Sequence, residues 1–207
     1  MLKNIKHFAG QSWLLIVASF VFGLLLAVTN AAWRPRIIQN EINKFNNLAR
    51  ALLTEATDFE IAAEAVEVDI GKGKKIRTDI KKGISDANEC VGWAFVCEGS
   101  GFADKIKLVL TVDAGFEKLS GFGVLASNET PGFGDKIKNN YFRSQFVGAP
   151  ATQLLLSKTG DDKKIDSEIV AITGATVSSE AVVKILNNYI RQIKISMQAE
   201  GLVNNDE

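Results

Sequence analysis

Ile172-Thr173-Gly174-Ala175-Thr176-Val177-Ser178-Ser179 is a run of small and hydroxylated residues set directly before an apolar periodicity. Val182, Ile185, Leu186, Tyr189 and Ile193 follow at steps of three and four, the spacing of one helix face. The stretch therefore reads as a turn feeding a helix N-terminus, with hydroxyls at its start. Backbone N–H groups without intrahelical partners meet the positive end of the helix dipole there, which favours an anion, phosphate above all. Glu180 is placed to use part of that field internally. Ordinary capping accounts for the same composition, so spacing alone leaves two readings, a plain cap or an anion site.

Upstream lies a second informative stretch, Asn128 to Ile137, N-E-T-P-G-F-G-D-K-I. Thr130-Pro131-Gly132 is a turn signal, and Gly132 and Gly134 leave the backbone open to close approach. Phe133 either lies against a flat ligand or packs in the core. Glu129 and Thr130 either hydrogen-bond a ligand or cap the turn. Asp135 is positioned to cap a helix over Lys138 to Phe146.

The middle of the chain reads as strands. Ala63 to Ile70 alternates apolar with acidic residues, as a half-buried strand does. Gly71 to Lys75, G-K-G-K-K, reads as a solvated basic turn. Val91 to Cys97, Ile106 to Val112 and Leu119 to Ala126 are further strand candidates, separated by glycine-containing turns. Short gaps argue for antiparallel hairpins, so the class is α+β, a mainly antiparallel sheet flanked by helices. If Cys90 and Cys97 share one extended strand, their side chains face opposite ways about 23 Å apart. A disulfide needs Cβ atoms within about 4.5 Å, so two free, small apolar residues are expected.

Ser12 to Ala32 carries no charge, with Trp13 and Trp33 at its ends. As a helix it would span about 30 Å, the thickness of a bilayer's hydrocarbon core. The apolar region of a cleaved signal peptide is usually only about 7–15 residues, so a retained single span is expected. Arg34-Pro35-Arg36 marks the exit, with Pro35 as a helix start or break. Ile38, Ile42, Phe45, Ala49 and Leu52 then recur at helical spacing, an amphipathic helix that packs on partners, lipid or its own domain. The expected organisation is an N-terminus over 1–11, a transmembrane helix over 12–33, a juxtamembrane helix over 34–60, one domain over 61–200 and a flexible tail over 201–207. Basic residues lie on both sides of the span, so charge alone does not orient it.

Composition excludes several functions. The 24 basic residues less Lys3 and Lys6 leave 22 beyond the apolar run, against 24 acidic ones, which gives no support for nucleic acid as a partner. With two cysteines and one histidine, four-cysteine iron–sulfur ligation is out of reach and no metal site is expected. Any redox cofactor must be organic.

The two stretches carry a resemblance. T-G-A-T-V-S-S resembles the [ST]-G-A-T-x-[ST]-[ST] signature of the FMN-binding domain family, and E-T-P-G-F-G resembles its second signature, E-T-P-G-[LF]-G. That family includes the G subunit of the Rnf electron-transport complex and the C subunit of the sodium-pumping NADH:quinone reductase; this chain's length is nearer the former. The resemblance implies covalent FMN on Thr176 through a phosphoester, with Thr173 and Ser178 as lesser acceptors. It implies cofactor contacts from Gly174, Ala175 and Ser179, and from Glu129, Thr130, Pro131, Gly132, Phe133 and Gly134. It implies an N-terminus inside the cytoplasmic membrane, a domain outside it, other complex subunits as partners and a separate FAD-dependent flavin transferase for maturation. The resemblance also places an Asp six positions before the acceptor; here Val170 stands there, with Glu168 nearby but out of register, which implies less efficient flavinylation if that acid serves recognition by the transferase. The function so implied is an electron-carrying subunit of an ion-translocating ferredoxin:NAD+ oxidoreductase, not a complete enzyme alone. The alternatives are a component like the C subunit of the NADH:quinone reductase, a stand-alone extracytoplasmic flavoprotein, and, in another class, a cofactor-free anchored scaffold.

Overall fold

The computed structural model describes residues 2–71 and 73–203. The chain forms two compact units, one ending at Asn43 and one beginning at Lys44. The tail expected over 201–207 lies outside the described residues from 204 onward.

Helix α1 (Leu2–Leu52) supplies the first unit up to Asn43, and its last residues, from Lys44, belong to the second. From Ser12 it is long and apolar enough to cross a membrane. Its large apolar side chains, Trp13, Leu15, Phe20, Leu26 and Trp33 among them, are exposed. Pro35 lies inside the helix, not at a break. The ring removes one N–H from the ladder, and the helical runs on both sides are long enough to keep their own pairing. The Arg36 guanidinium sits 5.9 Å from the Trp33 ring centre, covering the aromatic face at that end.

The second unit is built on five antiparallel strands in sequence order: β1 (Asp58–Asp69), β2 (Lys75–Ile84), β3 (Cys90–Ser100), β4 (Lys105–Asp113) and β5 (Leu119–Ser127). β1 begins five residues earlier than the alternation indicated. Register shifts at Ile61/Ala63 and Ala63/Val66, with Ala65 at φ 52°, interrupt the period of two. The Asp79 carboxylate accepts the Ala65 N–H at 2.9 Å and holds that bulge. β2 is the one strand of this sheet that the sequence pattern did not indicate. Thr78 and Ile80 are buried, while the alternate charged residues Lys75, Arg77 and Asp79 face out. Lys75, and not a loop, opens this strand.

The two sheet faces bury different partners. Trp93, Phe95 and Cys97 of β3 enter the main core with Leu108, Leu110 and Phe122. Against that face packs α3 (Thr176–Ala199), burying Val182, Ile185, Leu186, Tyr189 and Ile193 as the periodicity predicts. The alternate residue Ala94, with Val109 and Leu125, meets Phe45 and Ala49 on the opposite face. Glycines make that approach possible. A Cβ at Gly92 would stand 2.8 Å from Leu53, and one at Gly123 would stand 2.9 Å from Leu48. Lys81 lies 4.4 Å over the Phe45 ring, and the Lys44 ammonium donates to the Leu125 carbonyl.

The helix expected over Lys138 to Phe146 is replaced by three short turns. These are a 3₁₀ turn at Gly134–Lys138, α2 (Asn140–Arg143) and a second 3₁₀ turn at Ser144–Phe146. Asn139 is extended and interrupts the run, and Asp135 lies within the first turn and caps nothing by its side chain. What fixes the segment is aromatic packing: Phe142 and Phe146 stand 5.3 Å apart and each meets Phe122 edge-on. A small parallel pair, β6 (Leu155–Ser157) with β7 (Glu168–Val170), leads into the stretch before α3. Both cysteines are free, with Cys97 in the core and Cys90 half-buried.

Candidate functional site

The start of α3 is held by its own serine. The Ser179 hydroxyl accepts the Ile172 N–H and donates to the Ala175 carbonyl, both at 3.0 Å. Gly174, at φ +79°, makes the bend that returns the chain to the helix. Ser179 is fully buried and its hydroxyl serves this loop. The capping position is Ala175, which provides no side-chain acceptor. The N–H groups of the first turn thus have no side-chain cap. Glu180 lies beyond the first turn and pairs with Lys184 at 2.7 Å, so the helix-terminal field is not spent on it as expected. Thr176 is the first helical residue and half-buried. Its hydroxyl has no hydrogen-bond partner among the described residues. Thr173 is exposed.

The second motif closes over this point. The Thr130 carbonyl accepts the N–H groups of Phe133 and Asp135, each at 3.2 Å, and Gly132 takes φ +76°. The turn throws Phe133 outward: it is 57% exposed, which removes the core reading. Glu129 turns inward and is buried.

Together these segments enclose a pocket of 270 Å³ lined by Phe102, Thr130, Phe133, Gly134, Gly174, Ala175, Thr176, Val177 and Ser178. Of the residues expected at a site, Thr173, Ser179, Glu129, Pro131 and Gly132 do not line it. Two lining residues escaped sequence reading. Phe102 is 65% exposed in the β3–β4 turn, and Val177 is 54% exposed on the first helical turn. A bare phenylalanine in a turn flanked by Gly101 was the available signal for the first. Lys136 stands 6.0 Å from the Phe133 ring centre. A larger groove of 550 Å³ runs along α3 between Lys184 and Gln198, but shares no lining residue with the motif pocket. No cluster of metal-ligating side chains exists among the described residues.

The fit to FMN follows from these observations. Uncapped N–H groups and a hydroxyl without a partner suit a phosphoryl group. Two exposed aromatic rings beside a glycine wall suit a flat heterocycle.

Comparison with known proteins agrees with this chemistry. The FMN-binding domain family matches residues 101–191. The chain is 31% identical to the G subunit of the Na(+)-translocating ferredoxin:NAD(+) oxidoreductase complex of Acetobacterium woodii, over 86% of this chain and 87% of that protein. It is 30% identical to the G subunit of the ion-translocating oxidoreductase complex of Shewanella baltica, over 92% and 88%. It is 28% identical to the protein of that name in Methanosarcina acetivorans, over 85% and 89%. Among solved structures, Shewanella oneidensis NqrC superposes with a TM-score of 0.54 at 18% identity, over 70% of this chain and 73% of that one. The C subunit of the Na(+)-translocating NADH-quinone reductase of Parabacteroides distasonis also gives 0.54, at 15% identity, over 83% and 98%. At those identities the likeness is one of fold.

Proposed function

Because this chain belongs to the family of G subunits of ion-translocating oxidoreductase complexes, we propose that it is the membrane-anchored flavin carrier of such a ferredoxin:NAD+ oxidoreductase, with FMN esterified to Thr176. The observation that carries the proposal is the Thr176 hydroxyl, free of partners among the described residues at the uncapped start of α3, inside a pocket walled by Phe102 and Phe133. Bound FMN would supply a redox centre that takes electrons in pairs and returns them singly.

The chain's own residues bind and orient. The first-turn N–H groups of α3 offset the negative charge of a phosphodiester. Thr130 and Gly134 line the pocket, and Phe102 and Phe133 would shield a bound ring from water. An ester bond removes the dissociation equilibrium, so the cofactor is retained outside the cell's interior. Thr176 is a weak nucleophile here. The single histidine, His7, precedes the apolar run that starts at Ser12, and the buried Glu129 is engaged elsewhere. Loading therefore needs a separate flavin transferase. Such a transfer would break the pyrophosphate bond of FAD, join its FMN phosphoryl group to the Thr176 oxygen and release AMP, with the hydroxyl proton passing to the transferase.

The boundary expected between 34–60 and 61–200 falls inside β1, because α1 ends at Leu52 and β1 opens at Asp58. The transmembrane span at 12–33, the extracytoplasmic placement of the domain and the remaining subunits as partners belong to the same proposal. They are supported by the long apolar helix and the family. Co-expression with a flavin transferase, followed by in-gel flavin fluorescence and intact mass, tests it. Fluorescence and an added FMN mass in the parent chain, both lost in Thr176→Ala, are expected. Fluorescence that survives the substitution overturns Thr176 as acceptor.

A further inference from the structure

Glu129 meets the chain beside Phe102 and Phe133 and at Ser178 without itself lining the pocket. Its Oε2 accepts the Ser178 hydroxyl at 2.5 Å, and its Oε1 accepts the Ala103 N–H at 3.0 Å. A Cβ at Gly101 would collide with Oε1, and one at Gly134 would lie 2.7 Å from Oε2. Gly101 precedes Phe102, Gly134 follows Phe133, and Ser178 stands two residues after Thr176. The side chain is 4% exposed, and it pairs with no lysine or arginine among the described residues. A carboxylate buried without a counter-ion is costly unless its hydrogen bonds are kept, so both ties are held firmly.

We propose that Glu129 is the positioning residue of this site: it ties the β3–β4 turn to the first turn of α3 and so holds Phe102 and Phe133 at the pocket as two ordered aromatic walls. The identity of the ring they order rests on the flavin reading above; the tie itself does not. Glu129 is not a ligand of the cofactor on this account, since both of its oxygens are used internally. Hydrogen-bonding capacity, and not charge or bulk, is what the position requires. Glutamine can keep both ties, accepting the Ala103 N–H at its oxygen and donating to the Ser178 oxygen from its nitrogen. Leucine fills similar space but leaves the Ala103 N–H and the Ser178 hydroxyl without partners. Removing the hydroxyl alone, in Ser178→Ala, cuts one tie and leaves the carboxylate in place.

The test uses the full-length subunit in detergent, loaded by the transferase. The readout is ring order, by flavin fluorescence anisotropy and acrylamide quenching, which a general loss of stability does not move. Glu129→Leu is expected to retain covalent flavin but to raise the quenching constant by about threefold or more, as a ring released to nanosecond motion would. Ser178→Ala is expected to fall between it and the parent, and Glu129→Gln to stay close to the parent. A Glu129→Leu or Ser178→Ala protein that matches the parent in both measurements overturns the proposal. So does a Glu129→Gln protein as disordered as Glu129→Leu. A parent chain that takes no flavin defeats the flavin reading instead. In that case fluorine NMR of fluorophenylalanine at positions 102 and 133 reads the tie directly. Both resonances shifting in Ser178→Ala supports it, and neither shifting overturns it.

Discussion

The side chain of Gln145 pairs with both backbone groups of Val170. Its nitrogen donates to the Val170 carbonyl at 3.2 Å, and its oxygen accepts the Val170 N–H at 2.7 Å. A buried amide thus serves β7 as a substitute strand, just before the loop that carries Thr173 to Thr176. Val170, six residues before Thr176, is held through its backbone, whatever its side chain.

Gln145→Ala removes both bonds and leaves the N–H and carbonyl of half-buried Val170 unmet. We expect a loss of about 2 kcal/mol in stability by urea denaturation of the full chain in detergent. Gln145→Glu keeps the acceptor but loses the donor, and should fall short of that loss. An Ala variant within about 0.5 kcal/mol of the parent would refute this role.

Gly123→Ala forces a methyl to 2.9 Å from the Leu48 side chain. Overpacking of this kind costs about 1–3 kcal/mol. Shortening the neighbour relieves it, so Gly123→Ala with Leu48→Ala should be less destabilised than the sum of the two single changes. Strict additivity in that cycle would mean that the glycine is not there for the helix.

Phe102→Ala and Phe133→Ala remove exposed rings, so each should change stability by no more than about 0.5 kcal/mol. Each should nevertheless alter the visible absorption and quenching of attached flavin. Unchanged spectra in the double variant would remove the rings from the site.

Alkaline stability depends on two buried protons. Burial pushes the Tyr189 hydroxyl up to about 12 and raises the Cys97 thiol well above its ordinary range. Both groups are neutral when protonated, so a raised folded value means that the folded state holds the proton more tightly. The contribution of Cys97 is complete below about pH 8.5 and is lost above it; that of Tyr189 is complete below about pH 10 and is lost as pH rises toward 12. A shift of this size for Tyr189 corresponds to about 2–3 kcal/mol. Urea titrations at pH 8, 10 and 11 should show the parent weakening steeply, with Tyr189→Phe and Cys97→Ala each flattening the slope.

Much of the fold could be read in advance where one physical pattern dominated. The uncharged run from Ser12 could only be an apolar helix, and α3 declared itself by the spacing from Val182 to Ile193. Strands β3 to β5 are apolar runs between glycine turns. β2 escaped because its charged residues Lys75, Arg77 and Asp79 mask an inward set as small as Thr78 and Ile80. The 134–146 segment misled because its turns are held by Phe122 from a distant strand, which no local pattern records. At the site, the loops carrying Thr176 and Phe133 were legible from their glycines and hydroxyls. The inward turn of Glu129 and the arrival of Phe102 were not, since each depends on a contact across the sheet's end.

Ala175 leaves α3 without a side-chain acceptor at its first turn. Esterified phosphoryl oxygens would meet those donors, so the loaded protein should melt higher than the empty one and resist protease longer. Cofactor insertion would then double as a fold-quality signal: chains that miss their transferase would be the ones a cell's proteases find first.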